Sequence, residues 1–390
     1  MELVARLEGH EDIINQACIL QDEDGVLSIS EDKTIRIWLK RERGSYWPSV
    51  CHVLPFAPSC FHFDQNLKRI FVGLDSGTIS EFSVTDDFNR IEHLRYFSSH
   101  QGKVTGILFS NTCKWLLSIG RDKQFHWDDS ETGSRLGSHS FQHICTSVQF
   151  DTQSKHVFVA EQNGRITMLK LEQSSCKHVT TLHGHQASIR ALLWEPLNKW
   201  LFSAGADHMI ICWDIGGRKG SAYELQGHRA RVTSLCYSKL KRTLLSGSED
   251  CTIVGWNMEA KRTETPQWSD SDNCQRCNKP FFWNFRSMYE TKTIGIRQHH
   301  CRNCGKAICG DCSQRKSTIP TIGFEFPVRI CDDCFPLFSD ATRKPLAKFF
   351  NAQHHVNCMD LNESKGLLLT TGYDRTISLS TISWPALSFA

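Results

Sequence analysis

The residues of this 390-residue chain whose types and spacing could do chemistry are concentrated between positions 274 and 334. Four Cys-x-x-Cys pairs fall there: Cys274/Cys277, Cys301/Cys304, Cys309/Cys312 and Cys331/Cys334. Thiolates hold Zn2+ tetrahedrally, and eight of them complete two four-cysteine sites. So short a block cannot be stabilised by apolar contacts alone, so two Zn2+ ions are expected as its structural cofactors. Spacing alone leaves open which pairs share an ion. The other ten cysteines (18, 51, 60, 113, 145, 176, 212, 236, 251 and 358) stand singly. They are expected as small core residues rather than disulfides, in a chain read as cytoplasmic.

A second constellation overlaps the first. Residues 297–305 read RQHHCRNCG, and Arg329 lies two residues before Cys331. Guanidinium groups offer planar paired donors to phosphate oxygens, and histidines add further donors. Residues 274–335 hold ten Lys and Arg against five Asp and Glu, a net +5 that leaves −2 for the rest of a chain whose total is +3. The basic character is therefore local. Just upstream, Ile294 and Ile296 place apolar side chains beside the basic strip.

These residues resemble the FYVE zinc-finger family, whose basic signature reads R(R/K)HHCRxCG. The Arg329-Ile330-Cys331 run resembles its RVC element, and Trp268 with Asp270 and Asp272 resembles its WxxD element. The resemblance implies a cross-braced metal arrangement. Cys274, Cys277, Cys309 and Cys312 would hold one zinc, and Cys301, Cys304, Cys331 and Cys334 the other. It also implies that Arg297, His299, His300, Arg302 and Arg329, with Asp270 or Asp272, bind the headgroup of phosphatidylinositol 3-phosphate. Ile294 and Ile296 would be the loop tips that enter the bilayer. Three departures are visible: Gln298 replaces a basic residue, Ser271 stands at an expected Asp, and 23 residues separate Cys277 from Cys301.

Such a block must be carried by something, and the rest of the chain repeats. Strand-like runs end at Trp38, Phe82, Trp127, Leu169, Trp213 and Trp256, in steps of 44, 45, 42, 44 and 43 residues; a seventh ends at Ser380 after 124. A period near 43 is that of a four-stranded propeller blade. His10, His100, His185 and His228 each precede a serine (Ser28, Ser118, Ser203, Ser246) by 18 residues, and an aspartate (Asp32, Asp122, Asp207, Asp250) follows four later. Trp38, Trp127, Trp213 and Trp256 complete the pattern. It resembles the WD-repeat family, in which the four residues form a hydrogen-bonding chain inside a blade, a structural role rather than a catalytic one. Units two and four carry Val72 and Val159 at the serine place and should lack the chain; unit three is one residue short between Asp122 and Trp127.

The expected fold is mainly β: a seven-bladed WD-repeat β-propeller with a small two-zinc FYVE-type domain inserted in blade six. Residues 1–257 would form blades one to six, with the N-terminal strand closing blade seven. Residues 268–338 would form the insert, and 345–390 the end of blade six and blade seven. No run approaches a membrane span, and MELVARLEGHED has no apolar stretch that would read as a secretory leader. No GxxxxGKS or GxSxG motif is present. End to end, the chain resembles WD-repeat and FYVE-domain-containing proteins. That resemblance implies a non-enzymatic adaptor, cytoplasmic and peripheral on early endosomes. Its propeller would hold protein clients, signalling kinases among them, without nucleic acid, and a weak dimer would add avidity. The alternative reading is a RING-like zinc ubiquitin ligase, which usually includes a His metal ligand and has no use for RQHHCR.

Overall fold

The computed structural model describes residues 1–42, 44–217 and 221–382; the last eight residues of the expected range 345–390 lie outside it. Seven antiparallel sheets form the blades of a propeller. Blades one to five run in order through Ile14–Val53, Pro58–Ser98, Val104–Ser140, Cys145–His183 and Ile189–Gln226. Blade six takes three strands from Val232–Asn257 and its fourth, Ala347–Asn351, from beyond the insert. Blade seven spans Val356–Thr381 and is completed by the N-terminal strand Glu2–Leu7, paired from Glu2↔Thr381 to Leu7↔Ile377. That pairing removes the free edges a ring would otherwise leave between first and last blades.

Second strands such as Gly25–Ser30 and Trp115–Gly120 are buried along their whole length. Sheets packed on both faces bury polar side chains as well as apolar ones, and each buried polar group needs a partner. In blade one His10 Nε2 lies 2.8 Å from Ser28 Oγ, Trp38 Nε1 donates to the same oxygen at 2.9 Å, and His10 Nδ1 lies 2.7 Å from Asp32. Blades five and six repeat this with His185, Ser203, Asp207 and Trp213, and with His228, Ser246, Asp250 and Trp256. In blades two and four Val72 and Val159 are fully buried and bring no polar group that would require the chain.

Blade three corrects the sequence reading. His100 reaches Ser118 and Asp122, but Trp127 Nε1 donates to the Gln173 carbonyl at 3.1 Å. Side chains alternate faces along a strand, so the missing residue puts Trp127 on the opposite face. Asp128 stands ten residues after Ser118, where the other blades have tryptophan, and it is buried against Arg135. His126 stacks on His100 with ring centroids 4.5 Å apart.

A second device joins neighbouring blades. The innermost strand of every blade shifts register by one residue at the same place, at Asn15, Ser59, Thr105, Thr146, Arg190, Thr233 and Asn357. Such a bulge re-aims a side chain out of the ladder. Five of the seven donate to a backbone carbonyl of the next blade: Asn15 to Pro58, Ser59 to Val104, Thr105 to Cys145, Thr233 to Val356 and Asn357 to Ile14, at 2.5–2.8 Å. Thr146 bonds within its own blade, where Ser147 Oγ accepts the Leu192 N–H at 3.1 Å instead. Arg190 makes no such bond among the described residues.

The insert leaves the third strand of blade six after Asn257 and docks on blade five. Its hairpin of Lys316–Ile319 and Phe324–Arg329 extends that blade to a six-stranded sheet through the parallel bridge Gln226↔Phe324. Gln226 N–H donates to the Gly323 carbonyl at 2.8 Å. Gly323 has φ +95°, and an added Cβ would lie 1.7 Å from the Glu224 carbonyl oxygen, so only glycine permits this approach. The Arg229 guanidinium covers Phe326 at 4.8 Å, and Phe326 packs on Phe349 of blade six.

Candidate functional site: two zinc centres and a basic cavity

Each Cys-x-x-Cys pair sits in a tight loop, and the loops associate crosswise. Cys274, Cys277, Cys309 and Cys312 bring their sulfurs within 4.8 Å of one another; Cys301, Cys304, Cys331 and Cys334 do the same. Four thiols at that separation suit tetrahedral zinc with no open position, which is a structural site rather than a catalytic one. The two centres are built alike. The Cys309 N–H points at Cys274 Sγ and the Cys331 N–H at Cys301 Sγ, both at 3.3 Å. At Cys274 burial pushes the thiol pKa up, but N–H donors from Cys277, Arg276 and Cys309 outweigh it and bring it down to about 7, favouring the thiolate a metal needs. Cys274, Cys301, Phe281, Ile308 and Ile330 form the small core between the centres.

The second centre places the basic string on a cavity of about 400 Å3 lined by Trp268, Gln298, His299, His300, Arg302, Lys316 and Arg329. Residues His299–His300 form a short strand paired with Ala307–Ile308, which fixes the two rings at the cavity wall. Arg302 is tied to Arg329 through its backbone N–H, 3.1 Å from the Arg329 carbonyl. Its guanidinium lies 4.5 Å from the Trp268 ring, which also stacks flat on His300 at 4.8 Å. Trp268 is held there because the preceding segment crosses Gly305: at φ +74°, a Cβ would meet the Gln267 carbonyl at 2.2 Å. Arg329 donates to the Ser313 carbonyl at 2.8 Å and to its hydroxyl at 3.1 Å. Burial, then the charges of Arg329 and Arg297, lower the His299 pKa.

Lys316 carried no sequence signal. It enters because Lys316 and Arg329 are direct cross-strand partners. Like charges in that position repel, and among the described residues no acidic side chain lines the cavity between them, the nearby Glu224 acting on Arg302 from outside the lining.

Four expected residues are placed differently. Asp272 accepts a hydrogen bond from Trp283 Nε1 at 2.9 Å, and neither Asp272 nor Asp270 lines the cavity. The long connection after Cys277 brings Trp283 to Asp272, so that carboxylate is already engaged. Arg297 is exposed outside the cavity wall, near enough for its charge to act on His299. Ile296 is not a loop tip: its N–H bonds the Pro280 carbonyl and its side chain packs on the zinc-domain core. Ile294 is 87 % exposed. It lies beside helix α1 (Phe285–Thr291), since Thr293 N–H bonds the Met288 carbonyl and Gly295 N–H meets Met288 Sδ. Phe285 and Tyr289 of that helix are 74 % and 87 % exposed.

Family models match the same two parts of the chain. The FYVE zinc finger model matches residues 265–340, and the WD domain, G-beta repeat model matches 1–38, 91–127, 176–214, 220–257 and 343–379. The repeat matches omit the first three strands of blades two and four, the blades whose buried valines replace the serine. The crystal structure of the WD40 β-propeller domain of Doa1 superposes with TM-score 0.65 over 97 % of this chain and 95 % of that one, at 15 % identity, a likeness of fold. Human WD repeat and FYVE domain-containing protein 2 is 52 % identical over 97 % of this chain and 94 % of its own length. Human WD repeat and FYVE domain-containing protein 1 is 48 % identical, covering 97 % and 92 %. The Caenorhabditis elegans protein 2 is 38 % identical, covering 97 % and 91 %. With both modules matched and nearly the whole length shared, the chain belongs to the family of WD repeat and FYVE domain-containing proteins.

Proposed function

We propose that the insert binds the headgroup of phosphatidylinositol 3-phosphate in the basic cavity and thereby brings the propeller, as a non-enzymatic adaptor, to early endosomal membranes. The observation that carries this reading is the facing pair Lys316 and Arg329, two cations with no carboxylate between them. An anion in the cavity turns that repulsion into two attractions, and Arg302, braced on Trp268, adds a planar donor pair for phosphate oxygens. His299 and His300 supply further ring nitrogens.

Ile294 is the apolar tip, and the exposed Phe285 and Tyr289 beside it widen the surface that meets the bilayer. Burying the isoleucine contributes about 3 kcal/mol at most, and each nearby cation about 1 kcal/mol at an anionic surface. Among the described residues no helix is long and apolar enough to cross a membrane, which fits peripheral attachment. The propeller carries protein partners, signalling proteins among them. A RING-type ligase is not favoured: both metal sets are all-cysteine, and both histidines stand in the cavity.

Sedimentation with liposomes, with and without phosphatidylinositol 3-phosphate, tests the reading. Wild-type protein pellets only with the lipid, and Arg302→Ala loses ~tenfold or more in affinity, the scale of one charged hydrogen-bond pair. Equal pelleting of the two proteins would remove the cavity from the account.

A further inference from the structure

The seven bulge residues of the innermost strands ring one mouth of the central channel. Together with Lys103 and Arg121 they line a cavity of about 500 Å3. Six of the seven are short and neutral: Asn15, Ser59, Thr105, Thr146, Thr233 and Asn357. Five of these latch to the next blade, as described above. The seventh is Arg190, and its guanidinium has neither hydrogen-bond nor ion-pair partner among the described residues. Blade five thus gives up the latch that blades three and six make with threonine, and places an exposed cation on the channel instead. A local rule broken without structural return marks a functional position.

Arg190 does not act alone. Arg121 is exposed on the same rim without an acidic partner among the described residues. Lys103 reaches only Glu31, at 3.2 Å, with both side chains about a third exposed. Three cations from blades three and five therefore converge on one end of the channel. The opposite end mixes Lys239 with Asp360 and Glu363 and carries no such excess.

We infer that this mouth of the propeller is the docking site for a short acidic peptide segment of a protein partner, whose carboxylates pair with Lys103, Arg121 and Arg190. This deepens the adaptor reading by naming the chemistry of the propeller's client, and rests on that reading for the role of the bound protein. Two features select a peptide over other anions. The hydroxyls of Ser59, Thr105 and Thr233 have spent their protons on the latches, so what they offer the channel is acceptor lone pairs. An extended peptide offers a run of N–H donors that can reach several of them at once, whereas inorganic phosphate has only one or two O–H groups at neutral pH. Arg231 of blade six pairs with Glu249 at 3.8 Å and Arg375 of blade seven bonds the Glu11 carbonyl, and the unpaired cations of the mouth also stop short of blades one and two, whose loops expose Glu11, Asp12 and Asp75. A long polyanion such as a nucleic acid would be repelled there, whereas a short acidic segment fits the basic half.

The test uses the full-length zinc-loaded protein and fluorescence anisotropy with a labelled hexaglutamate peptide, a labelled hexaserine peptide and inorganic phosphate as competitor. Hexaglutamate is expected to bind at about 50 mM salt and to weaken ~tenfold by about 300 mM, as an exposed ion-paired contact should. Arg190→Thr and Arg121→Gln should each weaken it ~fivefold or more, the size of one exposed-to-half-buried ion pair. Arg190→Thr should at the same time keep or raise the Tm, because threonine restores the blade-to-blade latch. Arg302→Ala should leave peptide affinity unchanged, and Arg190→Thr should leave liposome pelleting unchanged. The proposal falls if hexaglutamate binds no better than hexaserine, if Arg190→Thr binds like wild type, or if that variant lowers the Tm, which would make the arginine structural. It also falls as a peptide site if phosphate competes as well as hexaglutamate. Loss of lipid binding by wild type with peptide binding intact would overturn the headgroup reading alone.

Discussion

In blade five, His185, Ser203, Asp207 and Trp213 close a hydrogen-bonded chain within a sheet whose other buried side chains are apolar except Glu195, which accepts from Asn198. In the insert, eight thiols gather around two points, and the core between them amounts to little more than Phe281, Ile308, Ile319, Ile322 and Ile330. The propeller spreads its stabilisation over seven similar sheets, each packing on its neighbours. The insert concentrates its own in metal–sulfur bonds. The contrast teaches where each region can be touched. A blade tolerates the loss of one polar chain, as blades two and four demonstrate, while the insert has no second source of order.

Metal removal should separate the two regions most strongly. A chelator competing for both ions removes on the order of 10 kcal/mol of binding free energy per structural site, more than a domain this small holds in reserve. The expected outcome, read by proteolysis and circular dichroism, is an insert cleaved between residues 258 and 346 while the blades stay protected. Simultaneous loss of the blades would mean that docking on Gln226 carries the propeller as well.

Within the propeller the comparison can be made blade against blade. Asp207→Ala leaves His185 buried with an unanswered ring nitrogen and frees the Gln186 N–H, at a cost of about 2–3 kcal/mol. Asn163→Ala, at the matching place in blade four, removes only a turn contact to Arg165 N–H and should cost about 0.5 kcal/mol or less. Denaturant midpoints of the two variants would measure the difference. Equal losses would mean that the chain of polar groups is not what holds blade five.

Acid should weaken the propeller by a smaller, graded amount. Burial pushes the pKa of His126 down to about 4, with the nearby Arg135 charge acting in the same direction. An unfolded histidine titrates near 6.5, so between about 4 and 6.5 the unfolded chain binds more protons and stability falls as pH falls. The contribution is whole above about pH 6.5, and by pH 5 about 2 kcal/mol of it is gone. His126→Phe keeps a ring stacked on His100 and should flatten the change in midpoint between pH 7 and 5 by about that amount. An unchanged slope would assign the acid sensitivity to other groups.

Much of this was legible as pattern. The step of 42–45 residues and the His–Ser–Asp–Trp spacing follow from one blade geometry repeated, and a repeated geometry leaves a repeated constraint on residue type. The cysteine pairs were legible for a similar reason, since thiolate coordination admits few substitutes. What escaped were properties that depend on register or on elements far apart in the chain. The count showed unit three one residue short; that Trp127 changes face and Asp128 takes its place emerges from strand pairing. Asp272 reads as available by type, but Trp283, eleven residues on, donates to it. Ile296 resembled Ile294 by type and differs because one faces the zinc-domain core and the other solvent.

By itself, then, the sequence determined which cysteines are spaced to hold metal, how many blades exist, and that the basic charge lies in the insert. Those properties are local, set by residue chemistry and short spacings. Only the tertiary structure decided that Lys316 faces Arg329, that the insert of blade six adds its hairpin to blade five, and that Arg190 stands in a ring where six neighbours carry short neutral side chains. Each depends on strand register or on chain segments brought together by closure of the propeller. No short-range pattern encodes those distances, because packing sets them.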